Sequence, residues 1–120
     1  MGNVAMSEFN PPIFAYGDEA GRGRWEIGHY RQHLNYLTHL AALSPPILIP
    51  DHPLMRIGDS DLEQKLWLED HANTHGLLRA YANVTGVDLS AVDLDDEQEF
   101  YVWLDAHAQE HLLIDQAFGL

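Results

Sequence analysis

The pattern Trp-x3-His-x3-His occurs three times in this chain, over residues 25–33, 67–75 and 103–111. The tryptophans are Trp25, Trp67 and Trp103, and the histidines are His29, His33, His71, His75, His107 and His111. Four residues advance about 40° around an α-helix, so each tryptophan and its two histidines lie along one stripe of a helix. Because these stripes continue through Leu78, Phe100 and Ile114, we expect them to face the interior.

Each copy of the pattern lies in a segment with its own helix signals, and three helices are predicted at about 18–43, 60–83 and 95–118. Pro45 and Pro46 end the first helix, because proline cannot donate a backbone hydrogen bond. The second begins with a capping box formed by Ser60 and Glu63, and Asp96 caps the third. In the first helix, the predicted apolar face contains Trp25, Ile27, Tyr30, Leu34, Leu37 and Ala41.

The first 17 residues contain two prolines and no helical or strand periodicity, which predicts an extended N-terminal arm. Its apolar residues are Phe9, Ile13, Phe14 and Tyr16. Such an arm folds back on its own domain or lies on a neighbouring subunit. Residues 18–120 are predicted to form one helical domain. The expected fold is mainly α: a three-helix bundle with an extended N-terminal arm and irregular proline-rich and acidic connectors.

Composition excludes several classes of partner and site. The chain has no cysteine, so a metal site must use nitrogen and oxygen ligands. The formal net charge of −13 disfavours direct binding to nucleic acid. No apolar run approaches the roughly 20 residues that span a bilayer, and the N-terminus lacks the pattern of a signal peptide. We therefore expect no membrane partner, and a protein made in a cytoplasm.

The histidines support two interpretations. If the bundle runs up, down and up, one layer contains His29, His75 and His107, and the other contains His33, His71 and His111. Three imidazoles could hold Zn or another divalent transition metal with a fourth position open. Alternatively, the imidazoles hydrogen-bond to neighbouring helices or to acidic groups as a satisfied polar layer, with no cofactor. The structural interpretation is preferred.

Enzymatic function has little support in the sequence. Glu26-x-x-His29 matches half of the carboxylate-histidine arrangement of dinuclear iron proteins. The other half is missing, because Leu68 and Leu104 occupy the corresponding positions before His71 and His107. No serine is paired with a base in a recognisable motif. The chain is therefore predicted not to be an enzyme.

Three runs carry a resemblance to a known class of proteins: FNPPIFAYGDEAGRGRWEIGHYRQHLNYL, PPILIPDHPLM and YANVTGVDLSAVDLDDEQEFYVWLDAHAQEH. They resemble small uncharacterised proteins encoded among the virion genes of tailed bacteriophages. The resemblance implies a virion-associated or assembly protein whose partners are other virion proteins in a symmetric assembly. It implies localisation in the virion, and in the host cytoplasm during assembly, and it brings no catalytic residues.

From the residues and the resemblance together, we predict a structural or assembly component of a bacteriophage virion that docks through its arm and one helical flank. One alternative is a metal-binding helical protein or enzyme that uses the three stripes. Another is a soluble acidic module that binds a basic protein. Metal content separates the first two possibilities, and size in solution separates the first from the third.

Overall fold

A computed structural model of the chain describes residues 13–49, 56–86 and 92–120. Within these ranges there are three α-helices and no strands: α1 (Glu19–Ala41), α2 (Asp61–Ala82) and α3 (Glu97–Phe118). Each helix begins and ends within two residues of its predicted limits. The predicted mainly-α three-helix bundle is confirmed. No helix in the described ranges is both long and apolar enough to cross a lipid bilayer.

All three helices begin with a capping residue at the same distance from their tryptophan. Asp18, Ser60 and Asp96 each accept a hydrogen bond from the backbone amide three residues later. This satisfies one of the donors that the first helical turn leaves without an intrahelical partner. The predicted capping box of Ser60 and Glu63 is confirmed. Each tryptophan follows its cap by seven residues, so the three helices share one register.

The three helices run in the same direction. The indole rings of Trp25, Trp67 and Trp103 form one layer near the helix N-termini, with centroids 6.0–6.4 Å apart. A second apolar cluster, near the C-termini, contains Tyr36, Leu40, Leu78 and Ile114. Residues at equivalent positions of the three helices therefore lie at equivalent heights. The expectation that the middle helix runs backward was wrong.

Parallel helices require connectors that return along the whole bundle. Ile47 and Ile49 pack against the C-terminal cluster, whereas Ile57 lies in the apolar cluster around the three tryptophans, near the helix N-termini. The second connector likewise passes from Val84 at one end to Leu94 at the other. A helix of 22 residues is about 33 Å long, and the shorter connector, residues 83–96, spans up to about 46 Å when extended. Both connectors are therefore long enough.

The buried face of α1 differs from the predicted apolar face. Ile27 and Leu34 are 43% and 38% exposed, while Gln32 and His33 are buried. In α1 the Trp-x3-His-x3-His stripe faces the axis of the bundle, and this orientation places the polar residues Gln32 and His33 inside. The predicted face was wrong for Ile27 and Leu34, because it weighed apolar character above the repeated pattern, whereas His33 is buried as its stripe predicted.

The described part of the N-terminal arm lies on its own domain. Phe14 packs against Trp25 and Phe100. The Tyr16 backbone amide donates to the hydroxyl of Tyr101, and the Tyr16 hydroxyl donates to the carbonyl oxygen of Asp95. Ile13 is exposed, and Phe9 lies outside the described residues. Phe14 and Tyr16 thus cover the N-terminal end of this bundle, which is one of the two positions expected for the arm. Docking of the arm to a neighbouring protein stays a prediction.

Candidate metal centre

Six histidines occupy the middle of the bundle, between two apolar layers. The tryptophan layer of Trp25, Trp67 and Trp103 lies on one side of them. Eleven residues after each tryptophan come Tyr36, Leu78 and Ile114, which lie on the other side. The six histidines are no more than 5% exposed. Such complete burial is costly for imidazoles unless their ring nitrogens have partners inside the bundle.

The upper triad, next to the tryptophan layer, consists of His29, His71 and His107, one from each helix. The Nε2 atom of His29 lies 2.9 Å from that of His71 and 3.1 Å from that of His107. The Nε2 atoms of His71 and His107 are also 3.1 Å apart. The three nitrogens therefore form a nearly equilateral triangle. The predicted layer of His29, His75 and His107 was wrong, because it assumed an antiparallel middle helix.

The lower triad consists of His33, His75 and His111, which corrects the predicted layer of His33, His71 and His111. The Nε2 atoms of His33 and His75 are 3.2 Å apart. Between the triads, the Nε2 atoms of His107 and His111 are separated by 3.1 Å. The six ligand atoms all lie within 4.8 Å of one another. The two triads thus form one cluster, where the sequence had suggested two separate layers.

Each tryptophan stacks on the upper-triad histidine of its own helix. The ring centroids of Trp25 and His29 are 4.8 Å apart, those of Trp67 and His71 are 4.3 Å apart, and those of Trp103 and His107 are 4.7 Å apart. All three pairs are within 14° of parallel. The indoles thereby fix the planes of the imidazoles and keep water from this side of the cluster.

A carboxylate orients one lower-triad imidazole. His75 Nδ1 lies 2.9 Å from Glu110 Oε1, which also accepts a hydrogen bond of 2.8 Å from Arg79 Nη1. With the carboxylate ionised, Nδ1 must carry the proton and donate it. The Nε2 atom of His75 then offers a lone pair directed at the cluster, where His33 Nε2 lies 3.2 Å away. A histidine with its other nitrogen on a carboxylate is the common arrangement around protein-bound metals.

A second chain of hydrogen bonds orients His111. The Tyr36 hydroxyl donates to Asp115 Oδ1 at 2.6 Å, and Gln32 also donates to this carboxylate. The Tyr36 oxygen lies 3.0 Å from His111 Nδ1 and therefore accepts the proton of that nitrogen. His111, like His75, is left with an Nε2 lone pair facing the other imidazoles.

Burial determines the protonation of the cluster. It holds the pKa of His29, His71, His107 and His111 well below the usual value, and the neighbouring imidazoles lower it further. Burial lowers the pKa of His75 to about 4, although Glu110 opposes that shift. Burial also raises the pKa of Glu110, but hydrogen bonds and charges from His75 and Arg79 outweigh it and the net shift is downward. At neutral pH these five imidazoles are neutral and available as ligands.

The half-motif noted in the sequence does not contribute a carboxylate to the cluster. Glu26 is buried, but its Oε2 accepts a hydrogen bond of 2.8 Å from the Ile57 backbone amide and lies 3.5 Å from Arg22 Nε. It thus holds the first connector against α1. Sequence reasoning missed Glu110, Tyr36 and Asp115 as partners of the histidines. The spacing held a signal for all three, since Tyr36 and Glu110 follow His33 and His107 by three residues and Asp115 follows His111 by four.

Gly86 lets the second connector pass close to the partners of His75. A Cβ atom at this position would lie 2.5 Å from Arg79 Cδ and 2.7 Å from Glu110 Oε2. Gly86→Ala should therefore lower the free energy of unfolding by about 1–3 kcal/mol through overpacking, measured by urea denaturation. Gly23→Ala is the matched control, since an added Cβ there meets no atom within 4 Å, and alanine should stabilise helix α1 by about 0.5–1 kcal/mol. Equal effects of the two substitutions would contradict this explanation.

Comparisons with known proteins add no further constraint: no protein family, curated protein or solved structure matches this chain.

Proposed function

We propose that this protein binds one divalent first-row transition-metal ion between its three helices and that the ion completes the fold. The observation that carries the proposal is the convergence of six buried imidazoles, two from each helix, with all ligand atoms within 4.8 Å. Imidazole is a good ligand for Fe, Ni, Cu and Zn ions. An ion at the centre of the cluster is close to every one of these ligand atoms.

A hydrogen-bonded layer without metal, the interpretation preferred from the sequence, accounts less well for this geometry. A neutral imidazole has one N–H group. His75 and His111 use theirs at Nδ1, toward Glu110 and Tyr36, so their Nε2 atoms offer only lone pairs. In the upper triad, three Nε2 atoms lie 2.9–3.1 Å from one another. Each of these nitrogens either carries a proton or offers a lone pair, so at least one of the three pairs must bring two N–H groups or two lone pairs together. A cation at the centre would instead accept a lone pair from each nitrogen.

One ion fits the cluster better than two. The separation between the triads, 3.1 Å from His107 to His111, equals the separations within the upper triad. Two divalent ions so close together would repel strongly in a buried site, and dinuclear centres in helical bundles use bridging carboxylates. Glu26, the carboxylate of the sequence half-motif, is engaged by Ile57 and Arg22. The single ion would therefore join the midpoints of all three helices.

The direct test is metal analysis of untagged, freshly purified protein. Wild-type protein should contain about one equivalent of metal per chain, and the double variant His71→Ala with His107→Ala should contain none. His39→Ala is the matched control, since His39 lies on α1 but stacks on Phe118 at 4.5 Å. It should retain the metal. Metal-free wild-type protein that also fails to bind Fe(II), Co(II), Ni(II) or Zn(II) in titration would reject the proposal.

A structural or assembly role in a bacteriophage virion stays a prediction from the resemblance. It is compatible with a metal ion that completes the fold, because a subunit of an assembly requires a rigid shape as much as an isolated protein does. An electron-microscopy map of a particle containing the chain would test this role independently of metal content.

A further inference from the structure

We further propose that the metal centre is six-coordinate and closed, so that it takes an ion with octahedral preference, namely Fe(II), Co(II) or Ni(II), and admits neither water nor substrate. This inference rests on the proposed metal-binding function. Beyond metal binding, the six-coordinate centre would determine the coordination number and the class of metal, and it would leave no position at the ion for a reaction.

The distances between imidazole nitrogens agree with an octahedron. With metal–nitrogen bonds of about 2.1 Å, neighbouring ligands of an octahedron lie about 3.0 Å apart and opposite ones about 4.2 Å apart. The observed separations of neighbouring nitrogens are 2.9–3.2 Å, and the largest separation in the cluster is at most 4.8 Å. The upper triad therefore corresponds to one triangular face, and the lower triad, with His33 and His75 at 3.2 Å and all six ligand atoms within 4.8 Å, supplies the three remaining positions.

A tetrahedral site agrees less well with the same atoms. Four nitrogens at about 2.1 Å from a metal are about 3.4 Å apart, which exceeds every Nε2 separation given for the two triads. Four-coordinate binding would also leave two buried imidazoles directed at the ion without a bond. The pseudo-threefold relation of the helices gives no reason for four of the six to differ from the rest. Six equivalent ligands are the simpler arrangement.

Both ends of the centre are covered by side chains. Above it, the three indoles stack on the upper-triad imidazoles. Below it, Tyr36, Leu78 and Ile114 are fully buried. With six protein ligands and these two apolar layers, the ion has no open position, whereas catalytic metal sites keep one. Bound metal would therefore support the fold and could not activate water.

The coordination geometry determines which ions fit. The chain has no cysteine, so the cluster is not a thiolate site of the kind that selects Cu(I). Its ligands are all imidazoles, so it is not an oxygen site of the kind that binds Ca²⁺. Structural Zn²⁺ is almost always tetrahedral, and Cu²⁺ prefers tetragonal geometry. Fe(II), Co(II) and Ni(II) remain as first-row ions that accept imidazole and six-coordinate geometry. The expected order of affinity at this site therefore places Ni(II) above Zn(II).

The test uses the full chain loaded separately with Co(II) and Ni(II). X-ray absorption spectroscopy should count six imidazole nitrogens around one ion, and Co(II) should give the weak visible bands of an octahedral complex. Azide should leave the wild-type Co(II) spectrum unchanged. His33→Ala should open one position, so that azide shifts the spectrum of that variant, whereas His39→Ala should behave as the wild type does.

The outcomes separate the two proposals. Stoichiometric metal with four nitrogen ligands and intense tetrahedral Co(II) bands would overturn the six-coordinate centre and leave the metal-binding function intact. Azide binding to wild-type protein would also overturn the closed centre. Absence of any bound metal would overturn both. Since ligand counting needs only wild-type protein, the test does not depend on the folding of His33→Ala.

Discussion

Protein stripped of its metal is expected to melt roughly 15–20 °C below metal-loaded protein at pH 7.5. A ligand present at about 1,000 times its Kd stabilises the native state by about 4 kcal/mol. For a domain of this size, each 1 kcal/mol changes Tm by roughly 4 °C. The physical reason is that the ion replaces unfavourable contacts among the six inward-facing ring nitrogens with bonds to all three helices. Differential scanning calorimetry after chelation and after reloading measures the change.

The double variant His71→Ala with His107→Ala is the control for this experiment. Chelation should leave its Tm unchanged, because it has lost two of the three upper-triad ligands. The His39→Ala variant should show the wild-type decrease. A wild-type Tm that chelation and metal addition both leave unchanged would mean that no ion contributes to the stability of the fold.

Acidification is expected to unfold the metal-free protein between about pH 6.5 and 4. Burial, reinforced by neighbouring imidazoles, holds the pKa of His29, His71, His107 and His111 well below 6.5, and burial lowers the pKa of His75 to about 4. Below pH 6.5 the unfolded chain binds protons at these histidines that the native state does not bind. Stability therefore decreases as pH falls. Five such groups lower the free energy of unfolding by at most about 7 kcal/mol between pH 7.5 and 5.5.

This loss is comparable with the whole stability of a typical domain, about 5–15 kcal/mol, so the transition should be visible by circular dichroism. The metal-loaded protein is the internal comparison. It should unfold at lower pH, because protons must first displace the ion from its imidazole ligands. A melting temperature of the metal-free protein that stays constant from pH 7.5 to 5.5 would contradict neutral, buried histidines.

Much of the local structure could be predicted from the sequence. The capping residues Asp96 and Ser60, the prolines after α1 and the Trp-x3-His-x3-His pattern act within one helix, where spacing alone determines which residues share a face. For that reason the three helices and their inward stripes were predictable. The sequence also indicates that the three helices share one register, since each tryptophan follows its capping residue by seven residues.

The direction of α2 was not determined by such local signals, and the membership of each triad depended on it. An antiparallel α2 would pair His29 with His75, whereas the parallel α2 places His71 beside His29 at 2.9 Å. Connector length permitted the parallel arrangement without requiring it. The pattern within each helix determined that its two imidazoles turn inward. Only the packing of the three helices decided that all six ring nitrogens lie close together, because the distances between them depend on the direction and rotation of every helix at once.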